Sequence, residues 1–416
     1  SRIALEDPER KPLSYGNLVL GALVLGRKLA GLTAQGERVG LFLPNVQGLA
    51  VTLFALTAFG RIPAMLNFTA GVKNLKAAAD LAELKTIVTS RRFADQAKLD
   101  DELAAMGEGR QIVYLEDVRK QITSLDKVFG VMQSLAPGLA HKPYEAGPDD
   151  PAVVLFTSGT EGKPKGVVLS HANLVSNARQ IFTLAAGFLS ERDVVMNPLP
   201  AFHSFGLTAA LLMPLFHGMK VVLYPSPLHY KQVPKLIGET GCTFLFATDT
   251  FLQGYARAAE PDDLKSVRYV VAGAERVKPD TRRMWAPYGT TILEGYGCTE
   301  CSPVLACNTP VATRDGSVGR LLPGIEARLE PVEGITEGGK LCVRGPNIMA
   351  GYLSADAPGQ IVAPEGGWHD TGDIVTMEDG FIAIRGRAKR FAKLGGEMVS
   401  LAAVETLACS LWSDAQ

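Results

Sequence analysis

Ten residues from Thr157 to Gly166, reading TSGTEGKPKG, gather hydroxyls, glycines and lysines in a pattern suited to holding oxyanions. Thr157, Ser158 and Thr160 can donate hydrogen bonds, Gly159, Gly162 and Gly166 allow close backbone approach, and Lys163 or Lys165 supplies positive charge. Backbone N–H groups converging in such a turn add to the attraction. The plainer reading of this composition is a solvated turn. The apolar run at 152–156 has strand character and delivers the loop at a strand end. The common nucleoside-triphosphate loop does not fit, because only Thr160 and Glu161 separate Gly159 from Gly162-Lys163, and Pro164 follows.

Four other stretches carry residues able to do chemistry. At 198–206 the sequence PLPAFHSFG sets His203 between Phe202 and Phe205 at the entrance to an apolar helix, where a histidine ordinarily packs. At 292–300, ILEGYGCTE offers a flat Tyr296 ring that can stack on a base, with Thr299 and Glu300 able to meet a phosphate and Mg²⁺. The bland alternative is a core tyrosine and a surface acid. Asp370 and Asp373 in WHDTGD could be local caps, and the basic run at 385–397 could be a solvated face. Cys298, Cys301 and Cys307 suggest a metal site, but no second pair at suitable spacing accompanies them, so buried thiols are expected.

The elements that must position these residues alternate between helix and short apolar strand. Helices are expected at 14–32, capped by Ser14, and at 47–59, 74–84, 230–239 and 249–258, with strands at 38–43, 86–89, 112–115, 194–196, 220–224, 243–247 and 268–272. A further helix from Ser170 to about Phe188 is expected to bring its N-terminus near the phosphate loop. Such alternation predicts an α/β fold of two helix-flanked, mostly parallel sheets. In an open parallel sheet ligands sit beyond the carboxyl ends of strands, where His203, Thr248 and Gly273-Ala274-Glu275 all fall. Residues 95–150 hold an expected helix within 117–135 and show only an ordinary solvated face. After Gly316, short strands between Gly/Pro turns suggest a small β-barrel-like subdomain. The expected divisions are 1–150 and 151–315 as two α/β subdomains, 316–386 as the β-rich one, and 387–416 as a hinge and the start of a lid.

Composition narrows the class. The 416 residues, 47% of them hydrophobic, can bury sizeable cores, and 42 basic against 43 acidic side chains give no electrostatic case for nucleic acid. Six cysteines in so long a chain point to a reducing compartment rather than a disulfide framework, hence a cytoplasmic location. The apolar stretches at 48–60 and 205–216 are too short to span a bilayer and read as core helices. Strand character immediately after Ser1 suggests a piece of a longer polypeptide.

The stretch from Thr157 to Gly166 resembles the signature of the AMP-forming adenylating superfamily, which includes acyl-CoA synthetases, luciferases and peptide-synthetase adenylation domains. Tyr296 to Glu300 is similar to its YGxTE motif, Thr371 to Asp373 to its TGD motif, and the stretch at 385–397 to its hinge. The resemblance implies ATP as cofactor, with Thr157, Ser158, Gly159, Thr160, Glu161 and Lys165 on its phosphates. It implies Gly273, Ala274 and Glu275 at the purine, Glu294, Gly295, Tyr296, Gly297 and Thr299 along the nucleotide, and Asp373 and Arg387 at the ribose. Glu300 and Thr160 would hold Mg²⁺. His203 would approach the carboxylate, Phe202, Phe205, Gly206, Leu207 and Thr248 would line the acyl site, and Gly206 and Gly273 would leave room there. Lys393 would act in thioester formation, and Lys389 would sit at the hinge. The chain carries only the beginning of the family's C-terminal lid.

Within that superfamily, the sequence from Pro198 to Tyr230 is most similar to the synthetase portion of bacterial acyl-[acyl-carrier-protein] synthetase / 2-acylglycerophosphoethanolamine acyltransferases. This implies activation of a long-chain fatty acid and transfer to the phosphopantetheine thiol of acyl carrier protein, with membrane association through domains absent from this chain, at the inner face of the bacterial inner membrane. The alternatives are a fatty acyl-CoA ligase using free coenzyme A and a nucleotide-binding module without turnover.

Overall fold

The computed structural model describes residues 2–158, 164–388, 391–394 and 397–401, the last two stretches by backbone together with residue 401. Two mixed sheets with parallel centres form the frame, as the alternation predicts. In the first, strands Arg38–Leu41, Ile62–Met65, Thr86–Thr89 and Gln111–Tyr114 run parallel. The hairpin of Pro151–Ser158 and Pro164–Ser170 extends it, followed by Gly351–Leu353 and Ile361–Val362 at the edge. In the second, Thr291–Gly297, Tyr269–Ala272, Phe244–Ala247, Val194–Asn197, Lys220–Leu223 and Ile3–Glu6 lie side by side in parallel.

The strands after residue 300 do not stand apart. Val304–Cys307, Arg320–Leu321, Phe381–Arg387, His369–Glu378, Gly339–Arg344 and Glu326–Glu330 continue the second sheet in antiparallel sense, around a core of their own with Leu305, Leu341, Val343, Val375 and Ile382. Sheet membership also crosses the division at residue 150, since Ile3–Glu6 belongs to the second sheet and the 151–170 hairpin to the first.

Helices fill the space between the sheets. Ser14 caps Tyr15–Ala30 by accepting from Asn17 N, and Ser170 and Asn173 form a reciprocal capping box on His171–Leu184. Gln47–Ala58 is apolar on nearly every side, as a helix between two layers must be. One continuous core joins Val39, Leu41 and Leu155 of the first sheet to Val195 and Val221 of the second through Leu18, Leu53, Leu174 and Leu211. Asn45 adds a polar tie, its Nδ2 donating to the carbonyls of Asn197 (2.8 Å) and Tyr224 (3.3 Å).

The expected proximity of helix His171–Leu184 to the phosphate loop is corrected. Seven residues of strand, Pro164–Ser170, separate them, and Ser170 pairs with Pro151 at the far end of the hairpin. At about 3.3 Å per residue this is roughly 20 Å, beyond the one-turn reach of a helix-terminal field.

Candidate functional site

The hairpin places Thr157 opposite Lys165, immediately beside the turn. Gly159, Thr160, Glu161, Gly162 and Lys163 lie outside the described residues, as do the side chains of Ser158, Lys389 and Lys393. Lys165 lies beside Tyr352 on the neighbouring strand of the same sheet. Its Nζ lies 5.1 Å from the centre of the Tyr352 ring, and the Tyr352 hydroxyl donates to Glu300 Oε1 at 2.8 Å. Burial and the neighbouring Glu300 raise the Tyr352 pKa, which keeps that hydroxyl a donor. Tyr352 and Lys165 belong to the first sheet, whereas Glu300 follows a strand of the second. Tyr352 therefore bridges the two halves, and the sequence carries no motif that singles it out.

Glu300 and Thr299 sit on a single turn, Thr299–Cys301, directly after strand Thr291–Gly297. Gly297 is required for the tight reversal, because a Cβ there would come within 1.9 Å of the Pro303 carbonyl oxygen. Ser204 Oγ donates to Thr299 Oγ1 at 3.4 Å, which brings the segment holding His203 to the same place. His203 keeps an exposed face and packs against the Phe202 ring, 4.7 Å between ring centres, and partial desolvation lowers its pKa. The imidazole is thus neutral near pH 7 and able to hydrogen-bond without bringing its own charge.

A second constellation forms around Asp373. Tyr296 Oη donates to Asp373 Oδ2 at 2.5 Å, and Arg387 Nε pairs with Oδ1 at 2.9 Å. Burial raises the pKa of Asp373, while Tyr296 and Arg387 pull it back down. TGD lies inside strand His369–Glu378 rather than in a loop between strands, with Gly372 at φ +71°. Asp370 is engaged elsewhere, pairing with Lys340 at 2.7 Å.

Other expected site residues have structural duties. The Glu294 carboxylate accepts from Val277 N and Arg282, and Glu275 accepts from both Thr250 N and its hydroxyl at the start of helix Asp249–Ala258. Ala274, immediately before Glu275, adopts a left-handed conformation (φ +66°), a cost of about 1–2 kcal/mol for a residue with a Cβ. Gly295 has ordinary space around it. Thr248 Oγ1 is buried without a hydrogen-bond partner among the described residues.

The acyl side differs from expectation. Gly206 opens no room, since a Cβ there would lie 2.4 Å from the Pro200 carbonyl oxygen, and Asn197 Nδ2 bonds the Gly206 carbonyl. Gly273 is covered by the Phe205 ring, 3.2 Å from where its Cβ would be, and that ring packs edge-on to Phe246. Phe202 is buried against Phe68. Phe205–Leu212 winds as an i→i+5 helix, a form often found beside functional sites. Leu207 in that helix is buried in the helical layer and is among the residues lining an apolar cavity of about 480 Å³.

Among the cysteines, Cys301 and Cys307 are buried as expected and Cys298 partly so. Cys298 and Cys301 nevertheless meet His369, with one ligating atom of each within 4.8 Å of the others, and Cys307 is not in that group.

These strand-end features define an ATP-dependent enzyme that activates a carboxylic acid as its adenylate. Residues 1–353 match the family described as AMP-binding enzyme, and the chain belongs to that family as an AMP-forming acid–thiol ligase. It is 29% identical over 425 residues to a feruloyl-CoA synthase of Streptomyces sp., covering 97% of this chain and 81% of that one. It is 27% identical over 398 residues to a probable 4-coumarate–CoA ligase of Dictyostelium discoideum, covering 90% and 72%. The ATP-bound crystal structure of MatB from Rhodopseudomonas palustris superposes with a TM-score of 0.81 at 25% identity, covering 98% of this chain and 80% of that one. Among the described residues no helix is long and apolar enough to cross a membrane.

Proposed function

We propose that this chain joins an apolar carboxylic acid, of the fatty-acid class, to coenzyme A through an acyl-adenylate. The observation that supports the reading is the chain of contacts from Lys165 through Tyr352 to Glu300, which joins the two sheets where one anion-binding cleft would lie. Coenzyme A replaces acyl carrier protein as the preferred acceptor because the similar proteins are CoA synthases and ligases, which favours the acyl-CoA alternative over the carrier-protein reading.

In the first step a carboxylate oxygen attacks the α-phosphorus of ATP, and the bond to the β-phosphate oxygen breaks to release pyrophosphate. Both partners are anions, so the site must offset charge and hold the attack in line. Lys165 and Thr157 would face the departing phosphates, and neutral His203 would orient the carboxylate. Glu300 fits a magnesium ligand, since Tyr352 occupies one carboxylate oxygen and leaves the other, with Thr299 beside it. Mg²⁺ bound there would neutralise phosphate charge. Tyr296 would stack along the nucleotide, and the Asp373 carboxylate, fixed by Tyr296 and Arg387, would accept from the ribose hydroxyls. In the second step the thiol sulfur attacks the acyl carbon and AMP departs.

The test is acid-dependent pyrophosphate release with ATP and Mg²⁺, run from acetate to palmitate, followed by thioester analysis with coenzyme A and with holo carrier protein in parallel. Acyl-CoA formation is expected. Thioester on the carrier protein alone would reverse the acceptor, and ATP binding without pyrophosphate release from any acid would overturn the ligase reading for this chain.

A further inference from the structure

Three side chains with the chemistry of soft-metal ligands converge beside the cleft, and none of them takes part in the reaction above. Cys298 precedes and Cys301 ends the turn Thr299–Cys301 that carries Glu300, and His369 opens the strand His369–Glu378 that carries Asp373. The two sulfurs lie 3.3 Å apart, Cys298 Sγ is 3.8 Å from His369 Nε2, and all three atoms fall within 4.8 Å of one another. Cys301 and His369 are buried, and Cys298 is half-buried. Cys307 lies outside the group, and its thiol donates to the Asn308 carbonyl instead.

These separations suit a tetrahedral zinc ion. Bonds of about 2.3 Å to sulfur and about 2.0–2.1 Å to nitrogen place two sulfurs about 3.8 Å apart, and a sulfur and a nitrogen about 3.6 Å apart. The sulfur–sulfur and sulfur–nitrogen edges differ from those values by about half an ångström or less, which side-chain torsions supply. Thiolate and imidazole donors favour zinc over magnesium or calcium. The backbone carrying the sulfurs is already held. Cys298 N donates to the Pro303 carbonyl at 3.0 Å, Cys301 N to the Cys298 carbonyl at 2.9 Å, and Asn347 Nδ2 to the Cys301 carbonyl at 2.8 Å. The surrounding charge also allows a cation. Glu300 adds negative charge near His369, whereas Lys340 and Arg387, the cations joined to that strand, are paired with Asp370 and Asp373. Lys165 contacts the Tyr352 ring rather than the cluster. A disulfide would use both sulfurs and give His369 no part.

We propose that Cys298, Cys301 and His369 form a zinc site that fastens the turn bearing Glu300 to the strand bearing Asp373. Each thiol gives up its proton as its sulfur bonds the ion, His369 binds as the neutral ring through Nε2, and water takes the fourth position. The magnesium assigned to Glu300 is a separate ion with hard oxygen ligands. The zinc site stands independently of the acid and acceptor assigned above.

The experiment is zinc titration of the full chain against a chromophoric chelator, without nucleotide or Mg²⁺ and with a phosphine to keep the thiols reduced. Bound metal is counted by inductively coupled plasma mass spectrometry. One tightly held zinc per chain is expected. Cys298→Ala should weaken binding by about a hundredfold or more, since loss of even an outer-shell partner costs about 10–100-fold. Cys307→Ala should leave binding unchanged. Cobalt serves as a spectroscopic probe of the wild type, which should show a thiolate-to-metal charge-transfer band and the strong d–d bands of tetrahedral geometry, both weakened in His369→Gln. Zinc should also raise the thermal unfolding midpoint of the wild type and not that of Cys298→Ala, with circular dichroism confirming that the variant is folded. A wild-type chain that gives no charge-transfer band with cobalt and retains no zinc against the chelator would overturn the site, whatever the variants do. Equal zinc affinity in wild type and folded Cys298→Ala protein would overturn these ligands. So would a Cys298–Cys301 disulfide, found by mass spectrometry of unreduced peptides after peroxide treatment, that forms equally fast with and without zinc, because it would assign the pair to redox chemistry.

Discussion

The two ends of the helical layer between the sheets have opposite chemistry, although the segment 203–216 runs from one to the other. At the cleft end His203 and Ser204 meet Thr299, and Lys165, Tyr352 and Glu300 close a polar ring of contacts from both sheets. At the other end Leu212, Leu215 and Phe216 line an apolar cavity that opens beside an outward-facing apolar helix. Parallel strands explain the first end, since their carboxyl termini leave a crevice where loops can place polar groups. The second end has no such loops. Its surface is made of helix sides, so its character follows from which face of each helix is turned outward.

The largest break in this comparison should come at the cleft. Glu300→Gln keeps an acceptor for Tyr352 but loses the charge, and should lower the rate of acid-dependent pyrophosphate release by about a hundredfold or more, the scale of removing one preorganised transition-state contact. Circular dichroism should show the fold intact. A smaller effect is expected at the ribose constellation. Asp373→Asn preserves the Tyr296 hydrogen bond and removes the attraction for Arg387, so the KM for ATP should rise about tenfold, equivalent to about 1.4 kcal/mol, with maximal rate less affected.

Gly206→Ala tests the packing that joins the two ends. The added methyl meets the carbonyls of Pro200 and Leu199, and overpacking of this kind costs about 1–3 kcal/mol. Unfolding in urea should register that loss, and improved turnover of bulkier acids would contradict the close packing seen here. The smallest effect is a shift in pH dependence. Desolvation lowers the His203 pKa, so the neutral ring persists below the ordinary histidine value of about 6.5. The acid limb of kcat/KM should therefore fall below that pH, and His203→Gln should abolish it. The sign for stability agrees: protonation is disfavoured in the folded state, so His203 destabilises the protein only as pH drops beneath the unfolded value.

Much of the cleft was legible because its residues sit in short contiguous motifs at strand ends. Tyr296, Thr299 and Glu300 lie within five residues, and helix Asp249–Ala258 has the bounds its periodicity predicts. Tyr352 was not legible, because its role arises from a short edge strand pairing Tyr352 with Val167 far away in the chain. The glycines misled for a related reason. Gly206 and Gly273 looked like space, whereas Pro200 and Phe205 fill it, and a missing side chain does not say what packs against it. The Cys298 and Cys301 pair lacked its third member on paper because His369 comes from another strand. Residues 95–150 read as an ordinary solvated face, yet the helix there buries a glycine and exposes its leucines.

By itself the sequence determined the alternation of helix and strand, the α/β class and the local motifs, because these depend on periodicity and on contacts between near neighbours. Only the tertiary structure decided which sheet each strand joined, which residues completed the cleft and which face of helix Ser124–Ser134 met solvent. Those outcomes depend on strand pairing and helix packing between distant segments, and a hydrophobic stripe has the same pattern whether it turns toward the core or away from it.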